Sequence, residues 1–298
     1  MRKLSLLLIL SVFSLAGMAQ QLYQTSQYME HSSMLNPAAA GIANKNMIGV
    51  SYRSQWSSFP GNPKTYVVYA DAVLKKMSSG LGGYLYRDET GPTSRTGVQL
   101  AYSYHIVSRD QKHVVGLGLE ARGLQYAIDK GKLASSLGND NVLAGASNKI
   151  VGDAGAGVYY TDYKLSVGAS VSQLIGAKLK IANVPGAFLN GQLYRHYNFL
   201  ANYKIQTGDN IYIIPNALVR VIENSPSEYE FGVKINYQDN IWVGGMYRVH
   251  QMYSLQAGFR LAKKLAFTYS YDAYNTPISI YTEGSSANEI GLRFDLDK

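Results

Sequence analysis

Between Met47 and Asp297 the chain repeats one unit about fourteen times: roughly ten residues alternating apolar and polar, then a turn. The segment from Gln251 sets Tyr253, Leu255, Ala257, Phe259 and Leu261 against Ser254, Gln256, Gly258 and Arg260. The next sets Leu265, Phe267, Tyr269 and Tyr271 against Thr268, Ser270 and Asp272, and the last sets Ile290, Leu292, Phe294 and Leu296 against Glu289, Gly291, Arg293 and Asp295. Side chains of a strand leave it on opposite faces with period two, so each segment has one oily face and one wet face. The fold question becomes which solvent each face meets.

Charge placement and connection length answer it. Glu120 and Arg122 share a face with Gly116 and Gly118, while Val115, Leu117, Leu119 and Ala121 take the other. Charges in mid-strand are costly against lipid and tolerated in a wet lumen. Strands are expected near 46–54, 64–74, 80–88, 94–107, 113–127, 152–161, 163–174, 193–205, 211–222, 228–237, 241–248, 251–261, 265–275 and 288–297. Connections after even-numbered strands are short; the long ones, 55–63, 128–151, 175–192 and 276–287, all follow odd-numbered strands. The expected fold is an all-β, antiparallel transmembrane barrel of fourteen strands, with short periplasmic turns, longer extracellular loops and both barrel ends in the periplasm. A soluble β-sandwich also alternates, but it explains neither the parity of the loops nor the wet-face charges. The 25 tyrosines crowd toward strand ends, where Tyr163, Tyr237, Tyr253 and Tyr274 suit the girdles at the two membrane interfaces.

After residue 19 no apolar run reaches the eighteen or so residues of a helical span. The one long apolar stretch is at the start, where Arg2 and Lys3 precede Leu4 to Leu15 and Ala16-Gly17-Met18-Ala19, the pattern of a signal peptide over residues 1–19. Export to the outer membrane follows, with residues 20–45 as a periplasmic or plug segment and 46–298 as the barrel. The chain has no cysteine, hence no disulfide and no thiolate site. Arg2 and Lys3 supply two of the formal +8 charges, and the remaining excess is dispersed, which argues against nucleic acid as a partner.

Chemistry is sparse along the strands. His31, His105, His113, His196 and His250 have no metal-ligand spacing, and no GxSxG, HExxH or P-loop pattern occurs. Glu120 and Asp272 read as lumen charges paired with Arg122, Arg220, Arg248, Arg260 or Arg293. No catalytic residue, metal or cofactor is expected. Gly152 to Gly157 opens a strand and not a helix, so its glycines serve bending or close approach instead of phosphate binding.

The dense motifs lie at the amino end. Ser26-Gln27-Tyr28-Met29 precedes Asn36-Pro37-Ala38 and Gly41; then come Arg53, Gln55, Trp56, Phe59, Gly61, Pro63 and Thr65 around the first long loop. Together with Tyr269-Ser270-Tyr271-Asp272 and Glu289-Ile290-Gly291-Leu292, these resemble the PorP/SprF family of the type IX secretion and gliding machinery of Bacteroidetes, across essentially all of the chain after the signal peptide. The resemblance implies an outer-membrane partner for export or surface anchoring of a large secreted protein that carries a type IX C-terminal sorting domain. It also implies contact with the periplasmic ring and motor components. Gln27, Tyr28, Asn36, Pro37, Gly41, Arg53, Gln55, Trp56, Phe59, Pro63 and Asp272 are the candidates for such contacts. The alternative is a general diffusion porin, which differs by conducting freely when reconstituted.

Overall fold

A computed structural model describes residues 24–43, 45–58, 60–129, 131–132, 149–180, 190–275 and 286–296. The expected signal peptide, Phe59 and parts of the long connections lie outside them.

Seventeen strands are described: β1 (Met47–Gln55), β2 (Lys64–Leu74), β3 (Ser79–Thr90), β4 (Thr93–Val107), β5 (Val114–Ile128), β6 (Lys149–Thr161), β7 (Leu165–Ser172), β8 (Lys178–Lys180), β9 (Asn190–Gln192), β10 (His196–Tyr203), β11 (Ile205–Gln206), β12 (Ile211–Ile222), β13 (Glu228–Tyr237), β14 (Ile241–Arg248), β15 (Met252–Leu261), β16 (Leu265–Tyr274) and β17 (Ser286–Asp295). Fifteen form one antiparallel sheet that closes on itself, β1 pairing with β17 from Met47 opposite Asp295 to Gln55 opposite Ala287. Since β11 continues β10, the wall has fourteen staves, as the alternation predicts.

The faces are inverted relative to a soluble protein. Leu100, Leu119 and Leu255 are 67–68% exposed outside, whereas Gln99, Glu120 and Ser254 are buried within. An exposed leucine belt around a polar interior is stable only where the outer solvent is hydrocarbon. Tyr163, Tyr237 and Tyr253 are on the outer surface as the girdle reading requires. Tyr274 is not. It shares the inward parity of Asp272, and its hydroxyl accepts from Arg53 and Gln55 inside the wall.

Two strands are shorter than the alternation suggests, for local reasons. β7 stops at Ser172 because Gln173 takes a φ of 60° and the Asp153 carboxylate, not a ladder carbonyl, accepts the Ile175 amide at 2.9 Å. The chain then forms the small β8–β9 hairpin inside a connection read from sequence as a plain loop. The β10–β11 break at Lys204 lies beside Pro215, which stands opposite Tyr203 and has no N–H to give it.

Candidate functional site

The barrel does not enclose water alone. Residues 24–43 run along its interior, from the rim of long connections down to the rim of short turns. Gln24 bonds to Arg248, the last residue of β14, while Gly41 lies against Ala72 and Gly80 beside the short β2–β3 turn. Three 3-10 turns, Tyr28–Glu30, Ser32–Met34 and Pro37–Ala39, give the segment its compact path.

Asn36 and Pro37 start the third turn. The proline ring keeps Asn36 extended, at φ −141°, and fills a turn position that needs no N–H. The Asn36 side chain then serves both sides: its Oδ1 accepts the Ala38 amide at 3.0 Å, and its Nδ2 donates to the Val158 and Ala169 carbonyls of β6 and β7 at 2.9 and 3.2 Å. Such proximity demands a bare wall. A Cβ on Gly157 would strike the Asn36 amide, and one on Gly118 would strike the Pro37–Ala38 backbone. The approach at Gly157 is the kind that the Gly152 to Gly157 stretch foreshadowed; the one at Gly118 lies outside that stretch. Ser103, His105 and Ser170 bond the carbonyls of Ala38, Ala40 and Leu35 at 2.8, 3.0 and 2.6 Å. Gly41, at φ 67°, turns the chain toward β1.

Midway, Glu30 pairs with Lys234 and, at 3.0 Å, with Arg293, and His31 lies over the Tyr69 ring at 3.7 Å. Tyr28 donates to Asn216 at 3.0 Å. Glu30 thus meets two cations inside the lumen, which is what makes its ionised carboxylate tolerable there.

The densest polar cluster is at the long-loop end. Arg53, 4% exposed, holds Asp272 at 2.6 Å and Glu289 at 3.1 Å. Those two carboxylates also hold the start of the inner segment: Ser26 Oγ donates to Asp272 at 2.7 Å, Ser26 N to Glu289 at 3.1 Å, and Thr25 Oγ1 to Glu289 at 2.5 Å. Gln27 gives its amide to the Glu289 carbonyl and accepts from Thr268 at 2.5 Å. Arg53 and Gln55 both donate to Tyr274, and the Trp56 ring meets Tyr274 edge-on at 5.9 Å.

Gln27, Arg53, Gln55, Trp56 and Asp272 thus converge, although they are distant in sequence. Tyr28, Asn36, Pro37 and Gly41 are strung along the same segment lower down. Pro63 stays apart: its carbonyl accepts the Gln55 amide at 2.9 Å and closes the base of the β1–β2 loop. Asp272 pairs with Arg53 and not with any of the five arginines expected from the sequence; Glu120 does pair with one of them, Arg122, at 2.5 Å. Thr25, Tyr274 and the Glu30, Lys234 and Arg293 group were missed as site residues. Inward parity marks the last two arms of that group and Tyr274 as lumen residues, but nothing in the strand pattern shows that a chain segment meets them there. Among the described residues no group of three His, Cys, Asp or Glu side chains is placed to hold a metal.

A closed fourteen-stranded barrel with a lipid-facing leucine belt defines an outer-membrane protein. Its fold is similar to that of the toluene transporter TbuX of Ralstonia pickettii, at 12% identity and a TM-score of 0.53, over 89% of this chain and 93% of that one. A FadL homologue of Pseudomonas aeruginosa is similar at 11% identity and a TM-score of 0.50, over 88% of this chain and 93% of the other. No curated protein matches the chain at a significant level. The model of the type IX secretion system membrane protein PorP/SprF family matches residues 17–294, and the chain belongs to that family. It is therefore a membrane component of the type IX system, from a secretion family and not an enzyme family.

Proposed function

We propose that this barrel is a closed adaptor, not a pore, and that it partners the export or surface anchoring of a large secreted protein bearing a type IX C-terminal sorting domain. The observation that carries the reading is the occupied lumen, where residues 24–43 are tied to the wall from Gln24 to Gly41. In this reading the segment acts as a plug. The long connections face the exterior and meet the cargo, while the short-turn rim faces the periplasmic ring and motor components. Family membership supports partnership with that apparatus; the division of labour between the rims rests on loop length.

The test pairs genetics with electrophysiology. Deleting the gene abolishes surface display of one sorting-domain protein, and the purified barrel is electrically silent in a planar bilayer. Display of every cargo in the deletion strain overturns the export role. Stable open conductance from the barrel alone replaces the adaptor with a diffusion porin.

A further inference from the structure

Trp56 sits just beyond the long-loop end of β1 in an unusual state. Its φ of 50° places a bulky residue in the left-handed region, and its indole Nε1 is buried with no hydrogen-bond partner among the described residues. Strain and an orphaned donor together on one rim residue are costly, and such costs collect where a contact is made or broken in function. The position is held by two contacts: the Trp56 amide donates to the Ser286 carbonyl at 2.7 Å, and the ring abuts Tyr274.

From Tyr274 a continuous chain of contacts leads inward. Its hydroxyl accepts from Arg53 Nη2 at 2.9 Å and from Gln55 Nε2 at 2.7 Å. Arg53 sets the two carboxylates that grip Thr25 and Ser26, and Asp272 Oδ1 is itself left without a hydrogen bond among the described residues. The grip on the outer end of the inner segment thus depends on an arginine whose second support is the aromatic step at the rim. The lower end has no such dependence, because it rests on backbone packed against Gly116 and Gly118 and on the Asn36 side chain seated over Gly157.

Resting on the adaptor reading above, we infer that Trp56 and Tyr274 form the docking point for an extended stretch of the exported polypeptide, and that docking unlatches residues 24–27. A main-chain carbonyl of the cargo takes the orphaned indole N–H, which requires the ring to leave Tyr274. Tyr274 then releases Arg53, the arginine shifts from Asp272 and Glu289, and Thr25 and Ser26 lose their fixed acceptors. Only the outer end of the segment opens; Asn36 to Gly41 stay seated.

The chain has no cysteine, so Ser26→Cys introduces a single thiol of nearly the same size. Its reaction with a membrane-impermeant maleimide, measured on the full-length barrel in outer-membrane vesicles, reports opening of the latch. Labelling is slow with Trp56 intact and about tenfold faster in Trp56→Ala, the scale of one lost buried contact. Tyr274→Phe, which removes only the hydroxyl, also accelerates it, and heat-modifiable migration on a gel verifies that each barrel is folded. In cells exporting cargo the Ser26→Cys thiol labels faster than in vesicles, and Trp56→Phe, which keeps a ring but no N–H, removes that difference. Equal rates in Trp56→Ala, Tyr274→Phe and the parent overturn the coupling even if deletion of the gene still blocks display. Export-linked labelling that survives Trp56→Phe overturns the docking point. Failure of the adaptor reading is seen separately, as cargo display in the deletion strain.

Discussion

The two ends of the inner segment are held by different physics. At the long-loop end, Thr25 and Ser26 hang on the carboxylates of Asp272 and Glu289, which a single guanidinium sets in place. At the short-turn end, Pro37 to Gly41 press backbone against backbone where Gly116, Gly118 and Gly80 leave no side chain in the way, and the Asn36 side chain fills the space over Gly157. Charged side chains can exchange partners without disturbing the wall. Backbone packed on a glycine surface has no alternative arrangement nearby, because interiors are close-packed. One end is built to be released and the other to stay.

The largest test of that contrast is Arg53→Met. It leaves two buried carboxylates unpaired at once, a loss of about 3–5 kcal/mol, read from urea unfolding in lipid vesicles. If the outer end is an ionic latch, protease access to residues 24–27 rises while that to 36–41 does not. Next is Gly118→Val, which forces a branched side chain into the Pro37–Ala38 backbone and costs about 1–3 kcal/mol of overpacking. Here accessibility rises at 36–41, and a planar-bilayer recording shows conductance that Arg53→Met does not produce. Asn36→Ala removes two side-chain bonds to the wall and a turn cap, at about 1 kcal/mol per bond. A change larger than that of Gly118→Val would mean that side chains, not backbone, hold the lower end.

The smallest effect is a control at the β6–β7 turn. The Asp162 carboxyl accepts the Leu165 and Lys164 amides, each at 2.7 Å, and these bonds hold its pKa below the usual carboxylate range. A depressed folded pKa contributes stability that is full above the ordinary carboxylate range and is lost as pH falls through the depressed value. Mild acid therefore leaves the turn closed, and only stronger acid speeds hydrogen exchange at the Lys164 and Leu165 amides. Asp162→Asn weakens those two bonds at neutral pH and changes neither end of the inner segment.

Much of the wall was legible because its two solvents differ. Leu255 and Ser254 announce their faces by parity alone, and fourteen staves follow from counting alternating runs. What escaped were places where one residue overrides the pattern. Pro215 interrupts the neighbouring stave from across the ladder, and Asp153 replaces a strand partner with its carboxylate. Residue type misplaced Tyr274 in a lipid girdle, since a tyrosine at a strand end suits both a headgroup interface and a polar lumen, although the parity it shares with Asp272 points inward. Of the candidate site, motif density at Gln27, Asn36, Arg53 and Trp56 marked the right residues. It did not reveal that they share one interior, because their separation along the chain hides the register that sets Arg53 opposite Glu289.

By itself the sequence determined the barrel, its strand number and the family to which the motifs belong, because two-solvent alternation is a local property repeated along the chain. Only the tertiary structure decided what fills the barrel and who pairs with whom. Closure brings β1 against β17 and threads residues 24–43 between the walls, so the partner of Arg53, the reason for Gly118 and Gly157, and the reach from Trp56 to Ser26 are set by contacts between distant segments. No window of sequence contains them.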